Sequence, residues 1–363
     1  MTDVKRNETT EPETIAVREG EDFDRAHLAA YLRGKLPESE QPLEVVQFAG
    51  GHANLTYLLR YGATEYVLRR PPVGPVAPSA HDMGREYRVL SVLYKGYPLA
   101  PRAYLYCDDA ALIGAPFFVM ERRRGIVVRR SVPAAYGGGS DPAINRRISE
   151  VMIDALADLH QVDYGSIGLA SLGKPDGFLG RQVDGWAARY ERAKTKDVPL
   201  VAELAHWLRE HMPPAPPPTL LHNDWRLDNM MLDAKDPGRC VAVFDWDMCT
   251  VGDPLADLGT LLSAWIEASE GAPGAGQVGM PSNTPGFLTR REAVERYGKR
   301  RGVDVSHVPY YYVFGIFKIA IVLQQIYHRY HVGQTKDQRF QFFEQGAEML
   351  FWRAKEVSQT LTV

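Results

Sequence analysis

Past residue 23 the apolar positions of the chain fall into two regimes. FDRAHLAAYLRGKL puts Leu28, Tyr31 and Leu32 on one helical face, after which the period shortens. The runs LEVVQFAG, LTYLLRY, EYVLRR, RAYLYC and APFFVM are short, rich in β-branched and aromatic residues and separated by Gly, Pro or Asp. They predict the strands of an antiparallel meander. One helix interrupts it: in HDMGREYRVLSVLYKG, Met83, Tyr87, Leu90 and Leu93 or Tyr94 recur at helical spacing, with Gly96 as the stop. From about residue 122 the pattern is mainly helical. Ile148, Val151, Met152, Ala155, Leu156 and Leu159 mark one buried face. Further helices are predicted over 184–195, 200–211, 255–269, 289–300, 308–330 and 337–358. Two short strands, TLLHND and VAVFDWD, flank a loop and a turn. PPAPPP at 213–218 reads as a stiff connector, and GAPGAGQVGMPSNTPG from Gly271 as a loose loop.

Composition adds bounds. A chain of 363 residues suggests two domains or one bilobal unit, and 45% hydrophobic with 24% charged residues excludes a disordered, collagen-like or coiled-coil chain. Residues 1–22 carry no signal-peptide core and read as a disordered tail. With 42 Lys plus Arg against 45 Asp plus Glu, the net charge of -3 offers no global field for nucleic acid or anionic lipid. Cys107, Cys240 and Cys249 show no metal-binding spacing and suit a reducing, cytoplasmic setting. The apolar stretch from Val313 is too short for a bilayer span and contains Lys318, so no membrane partner is expected.

The chemistry concentrates in LLHNDWRLDNMMLD and the VFDWD that follows, a skeleton of H-x-D-x-x-x-x-N and then D-x-D. A turn carrying Asp224 can aim a carboxylate at a substrate hydroxyl while the Asn229 oxygen faces a metal. Asp245, closing an apolar strand, is a second hard oxygen ligand, and so sparse a set suits Mg²⁺ with phosphate oxygens and water. The spacing matches the catalytic loop and metal aspartate of protein-kinase-like enzymes. Over residues 40–330 the chain resembles the aminoglycoside phosphotransferase and choline kinase family. HNDWRLDNMMLD with VFDWDMCTVGDPLADLG is similar to the branch associated with acyl-CoA dehydrogenases.

That resemblance implies an α+β protein-kinase-like bilobal fold, with an antiparallel-sheet N-terminal nucleotide-binding lobe at 23–121 and a helical C-terminal lobe at 122–363. It implies ATP and Mg²⁺ as cofactors and a small-molecule hydroxyl acceptor, with a hydroxyacyl or hydroxyacyl-CoA compound as the leading acceptor. Asp224 becomes the catalytic base or the group that orients the hydroxyl, Arg226 a neutraliser of the moving phosphoryl charge, and Asn229 and Asp245 the metal ligands. His222 braces the loop, and Asp247 is either an outer metal contact or a structural cap. Gly50 and Gly51 turn backbone N–H groups towards phosphates. Arg69 falls where kinases carry a lysine, with Glu86 as its partner. Backbone groups near Met120 and Glu121 bind the adenine edge.

Other readings are weaker on this chain's own residues. Gly274, Gly276 and Gly279 match a dinucleotide fingerprint but follow no strand, and each Gly-Lys pair lacks the Ser or Thr of a Walker motif. His81 and Asp82 could belong to a phosphohydrolase metal set, but better suit a helix start. A non-catalytic nucleotide-binding module on the same fold and an aminoglycoside- or choline-type kinase remain as alternatives. The run Arg122, Arg123, Arg124, Arg129, Arg130 reads as either a phosphate-receiving patch or a solvated face. Trp265, Tyr310, Tyr311, Tyr312, Tyr327 and Tyr330 read mostly as core. The oligomeric state is left open, a homodimer among the options.

Overall fold

The computed structural model describes residues 13–50, 54–73, 82–270 and 280–363. The chain forms two compact units, Met1–Tyr94 with Ala100–Arg123, and Lys95–Leu99 with Arg124–Val363.

The first unit is built on an antiparallel sheet. Its strands are β1 (Thr14–Ile15), β2 (Leu43–Phe48), β3 (Leu55–Tyr61), β4 (Thr64–Arg70), β5 (Ala103–Cys107) and β6 (Phe117–Glu121), in the order β1-β2-β3-β4-β6-β5. Alternation sets the faces: Leu55, Tyr57, Leu59 and Tyr61 of β3 point into one core with Leu28 and Leu32 of α1 (Arg25–Leu32) and Phe117 and Val119 of β6. The helix α2 (Met83–Leu93) packs against β5 and β6, and a short α3 (Ala110–Ile113) follows β5. Asp82 begins α2 by accepting the Arg85 N–H at 2.9 Å, as its placement before the apolar periodicity suggested. The segment read as a disordered tail contains β1, which pairs Thr14 with Phe48 and Ile15 with Gln47. Two residues are too short a run for periodicity to register. Backbone pairing and the Gln47 side chain, which accepts the Arg18 N–H at 2.9 Å, hold this segment instead.

The second unit is mainly helical. Its elements in chain order are β7 (Ile126–Val127), α4 (Pro142–Leu159), α5 (Phe178–Ala193), α6 (Pro199–Glu210), β8 (Thr219–Leu221), β9 (Met230–Leu232), β10 (Cys240–Val243), β11 (Thr250–Gly252), α7 (Pro254–Ser263), α8 (Arg290–Arg301), α9 (Val308–His331) and α10 (Phe343–Thr360). The strands pair antiparallel as β10-β9-β7 and β11-β8. Both small sheets exist to hold the loops between them. The helix expected over 255–269 ends at Ser263, and the one expected from 337 starts at Phe343 after a 3₁₀ turn.

α7 and α9 cross closely because glycines face each other. A methyl on Gly259 would sit 2.2 Å from the Tyr311 carbonyl oxygen, and one on Gly315 would sit 2.3 Å from that of Gly259. This contact fixes α9 close to the loop that follows β8. No helix among the described residues is long and apolar enough to cross a membrane.

Candidate active site

The loop after β8 carries His222, Asn223 and Asp224, and its backbone is tied down from below. Asp257 on α7 is buried and accepts the His222 N–H and the Asn223 N–H, each at 2.7 Å, on its two oxygens. His160, at the end of α4, lies 3.4 Å from the same carboxylate and takes the Tyr297 hydroxyl on Nδ1 at 2.7 Å. Burial alone would raise the Asp257 carboxyl, but His160 and the His222 N–H outweigh it and hold it below the usual range. Burial depresses His160 in turn.

His222 braces the loop from within. Its Nε2–H donates to the Phe244 carbonyl at 2.8 Å, and Nδ1 accepts the Asp224 N–H at 3.3 Å, which defines the neutral Nε2–H tautomer. The ring stands edge-on to Trp225 at 5.5 Å and against Trp246 at 4.8 Å. A fully buried imidazole so engaged positions its neighbours.

Asn229 closes the loop on Asp224. Its Nδ2 donates to the Asp224 carbonyl at 2.8 Å and to the Asp224 carboxylate at 2.9 Å, so both amide hydrogens are committed and the amide oxygen keeps its lone pairs for another partner. The Asn229 carbonyl accepts the Phe244 N–H at 2.8 Å, which brings Asp245 alongside it. Asn223 and Asp245 have φ of +68° and +67°. Neither is glycine, so each holds a left-handed backbone that costs energy and redirects its side chain, a pattern that clusters at functional sites.

Arg226 is held in a bidentate fork by Asp228, with Nε to Oδ1 at 2.9 Å and the second arm formed by Nη2 and Oδ2. Asp224 Oδ1 is further off, 3.8 Å from Nε. Burial would lower the guanidinium, but Asp224, Asp228 and Asp245 together raise it. The arrangement is one cation among three carboxylates, a cluster suited to exchanging partners when an anion arrives.

In the first unit, Arg69 on β4 donates from Nη1 to Glu86 Oε1 on α2 at 2.9 Å, with the Glu86 side chain 1% exposed and that of Arg69 10%. The pair is therefore buried and is not a surface ion pair. Gly50 lies in an exposed bend beyond β2, and Gly51 lies outside the described residues. Met120 and Glu121 end β6. The Glu121 N–H is committed to the Arg102 carbonyl at 2.8 Å, so this N–H is engaged within the unit itself.

Among the remaining candidates, Arg122 lies over the Phe48 ring at 5.1 Å and meets Glu13 and Glu65, while Arg123 pairs with Glu121 at 2.9 Å. These two arginines are matched by carboxylates, whereas Arg129 and Arg130 are exposed. Trp265, Tyr310, Tyr311 and Tyr312 are core residues. His81 and the glycines 274, 276 and 279 lie outside the described residues. Sequence reasoning passed over Asp257, His160, Asp228 and Lys318. The first two had a signal in the GDPLADLG and LADLH segments, whereas nothing local marks a lysine inside an apolar helix as part of a loop eighty residues and more away.

The chain matches known proteins in sequence and in fold. The model of the phosphotransferase enzyme family matches residues 44–292. Acyl-CoA dehydrogenase family member 11 of Gallus gallus is 33% identical over 362 residues, covering 97% of this chain and 46% of the relative. The chain thus spans about half the length of that protein. Among solved structures, a Ralstonia eutropha JMP134 protein provisionally named an aminoglycoside phosphotransferase is 29% identical with a TM-score of 0.79, covering 93% of this chain and 99% of that one. Choline kinase from Cryptosporidium parvum Iowa II shares the fold at 12% identity and a TM-score of 0.64, covering 93% and 96%. The fold is therefore the kinase-like α+β one, an antiparallel-sheet unit and a helical unit, and the chain belongs to the phosphotransferase enzyme family.

Proposed function

We propose that the chain is an ATP-dependent small-molecule kinase that transfers the γ-phosphoryl group to a substrate hydroxyl, the acceptor being a hydroxyacyl compound or its CoA thioester. The observation that carries this reading is the Asn229 amide spanning the Asp224 carbonyl and carboxylate. It fixes a carboxylate where a proton acceptor is needed and leaves an amide oxygen for a cation. The relative named for acyl-CoA dehydrogenases supports the acyl acceptor.

Asp224 accepts the hydroxyl proton as the oxygen attacks. It needs no strong basicity, because the transition state is loose and bond-making lags behind bond-breaking; orientation is the larger contribution. Asn229 and Asp245 would hold Mg²⁺, since one amide oxygen and one carboxylate make a hard, sparse donor set that fits this cation. Bound Mg²⁺ supplies charge neutralisation on the phosphate oxygens. Arg226 turns from Asp228 to the transferring group as negative charge accumulates there. Arg69, fixed by Glu86, supplies positive charge for the α- and β-phosphates, with Gly50 and Gly51 adding backbone donors and the Met120–Glu121 strand end the adenine contact. On this reading 23–121 is the nucleotide lobe and 122–363 carries catalysis and acceptor binding. Phosphate-monoester formation from [γ-³²P]ATP with a 3-hydroxyacyl-CoA tests it. A labelled product is expected, and the absence of label with hydroxyacyl acceptors while choline or an aminosugar is labelled would overturn the acceptor assignment.

A further inference from the structure

Lys318 sits in the middle of α9, is only 8% exposed, and points at the catalytic loop: its Nζ donates to the Asn223 carbonyl at 3.0 Å, one residue before Asp224. Among the described residues it makes no ion pair, and its Nζ lies 5.8 Å from the centroid of the Trp186 ring. An ammonium has three hydrogens to give, and one neutral carbonyl satisfies one of them. A buried ammonium whose carboxylates, Asp257 and Asp224, act on it only from beyond ion-pair distance is costly, and such a group persists where something else requires it.

The second cation is on α5. Arg189 lies over the same indole, 4.5 Å from its centroid, and makes no ion pair among the described residues. The indole that both cations meet is 7% exposed, and its Nε1–H has no hydrogen-bond partner among the described residues. The Lys318 ammonium, with one neutral carbonyl as its acceptor, and the Arg189 guanidinium thus gather on one indole from two helices, and Lys318 links them to the proton-accepting loop. Burial depresses Lys318, with Asp257 and Asp224 favouring its charge and Arg189 opposing it; burial and Arg192 depress Arg189. A bound anion would relieve both.

We infer that Lys318, Arg189 and Trp186 form an anion-recognising subsite for the phosphoryl acceptor, selecting a hydroxyl compound that carries a carboxylate or phosphate. The inference rests on the phosphotransferase reading and deepens it. Lys318 and Arg189 attract the acceptor's anionic group while the Asn223 carbonyl ties Lys318 to the loop that presents Asp224. The same two cations repel a quaternary ammonium or a polycationic aminosugar, so the subsite discriminates by repulsion as well as attraction.

The test compares acceptors matched in skeleton but not in charge. The full chain with Mg²⁺ and ATP is assayed for phosphate-ester formation with 3-hydroxybutyrate, 3-hydroxybutyryl-CoA, 1,3-butanediol and choline, and Mg²⁺·ATP binding is followed separately by thermal shift. One or both anionic acceptors should show kcat/KM at least roughly tenfold above the diol, the scale of a charge-assisted hydrogen bond. Preference for 3-hydroxybutyrate identifies a carboxylate, and preference for the thioester identifies the CoA phosphates. Arg189→Gln, a change at a partly exposed position, should raise KM for the anionic acceptor roughly tenfold with kcat and the diol's KM little changed, and Lys318→Gln should do the same with some loss of kcat. Equal or better use of the diol or choline would overturn the subsite, as would an Arg189→Gln variant with unchanged KM or one that lowers kcat for every acceptor alike. In those cases an intact Mg²⁺·ATP shift leaves the kinase reading standing; loss of that shift in the unaltered protein would remove the reading itself.

Discussion

Asp257 receives the His222 backbone N–H at 2.7 Å on the oxygen that also faces His160, so the loop carrying Asp224 hangs from a buried carboxylate on α7. With its other oxygen taking the Asn223 N–H, one side chain satisfies two donors that no secondary structure would otherwise satisfy. Asp257→Ala should cost about 2–5 kcal/mol, because it leaves these donors and His160 without their acceptor. Urea unfolding measures the stability, and kcat should fall along with it. A variant of wild-type stability would show that water replaces the carboxylate freely.

Asp253 should make stability fall as the pH rises. It caps α7 by accepting the Leu255 N–H at 3.0 Å and the Tyr311 hydroxyl at 2.6 Å, and burial raises its carboxyl from 3.8 to about 6. Its folded-state value lies above the unfolded one, so its contribution is fully present below about pH 4 and lost as the pH climbs through 6. Asp253→Asn keeps an oxygen acceptor and cannot ionise. The variant should gain on the wild type between pH 4 and 7, by on the order of 1–3 kcal/mol. Thermal unfolding of both proteins across that range checks the difference; a constant gap would remove the ionisation as its cause.

The Arg69–Glu86 pair separates folding from nucleotide binding. Glu86→Gln should destabilise the first unit by about 3–5 kcal/mol, since it strands a buried guanidinium. Replacing both residues with Met and Leu should recover most of that loss, because apolar side chains of similar size pack without desolvating charge. The double variant should still bind ATP at least tenfold more weakly, by roughly the worth of a charge-assisted contact. Calorimetric titration with ATP decides it, and unaltered affinity in the double variant would restrict Arg69 to the fold.

Asp245 should matter to the cation rather than to the proton. Asp245→Ala should abolish the Mg²⁺-dependent part of the thermal shift with ATP and leave any Mg²⁺-independent part in place, about 2.7 kcal/mol being at stake at a hundredfold excess over Kd. Retention of the full Mg²⁺-dependent shift would place the metal elsewhere.

Much of this was legible in the chain because the site is local. LLHNDWRLDNMMLD holds Asp224, Arg226 and Asn229 on one loop, and their mutual contacts follow from spacing of five residues or fewer. The β3 and β4 strands were equally plain, since alternation in LTYLLRY and EYVLRR runs their whole length. What escaped was long-range or short. β1 and β7 have two residues each, below any period, and β9 and β11 have three. Lys318 belongs to the loop only because Gly259 and Gly315 let α9 approach α7, and a helix crossing leaves no mark in local pattern. Asp228 looked like filler between Arg226 and Asn229, yet it holds the guanidinium that Asp224 does not.

The central claim is that Asp224 accepts the proton of a hydroxyl being phosphorylated. Its most direct test is transfer of ³²P from [γ-³²P]ATP to a 3-hydroxyacyl-CoA by the wild type and by Asp224→Ala, with Mg²⁺·ATP binding followed in parallel by thermal shift. The wild type should give a labelled product, the variant a rate lowered by roughly 10²–10⁴-fold, and both an unchanged nucleotide shift. Equal transfer by Asp224→Ala would contradict that role for Asp224.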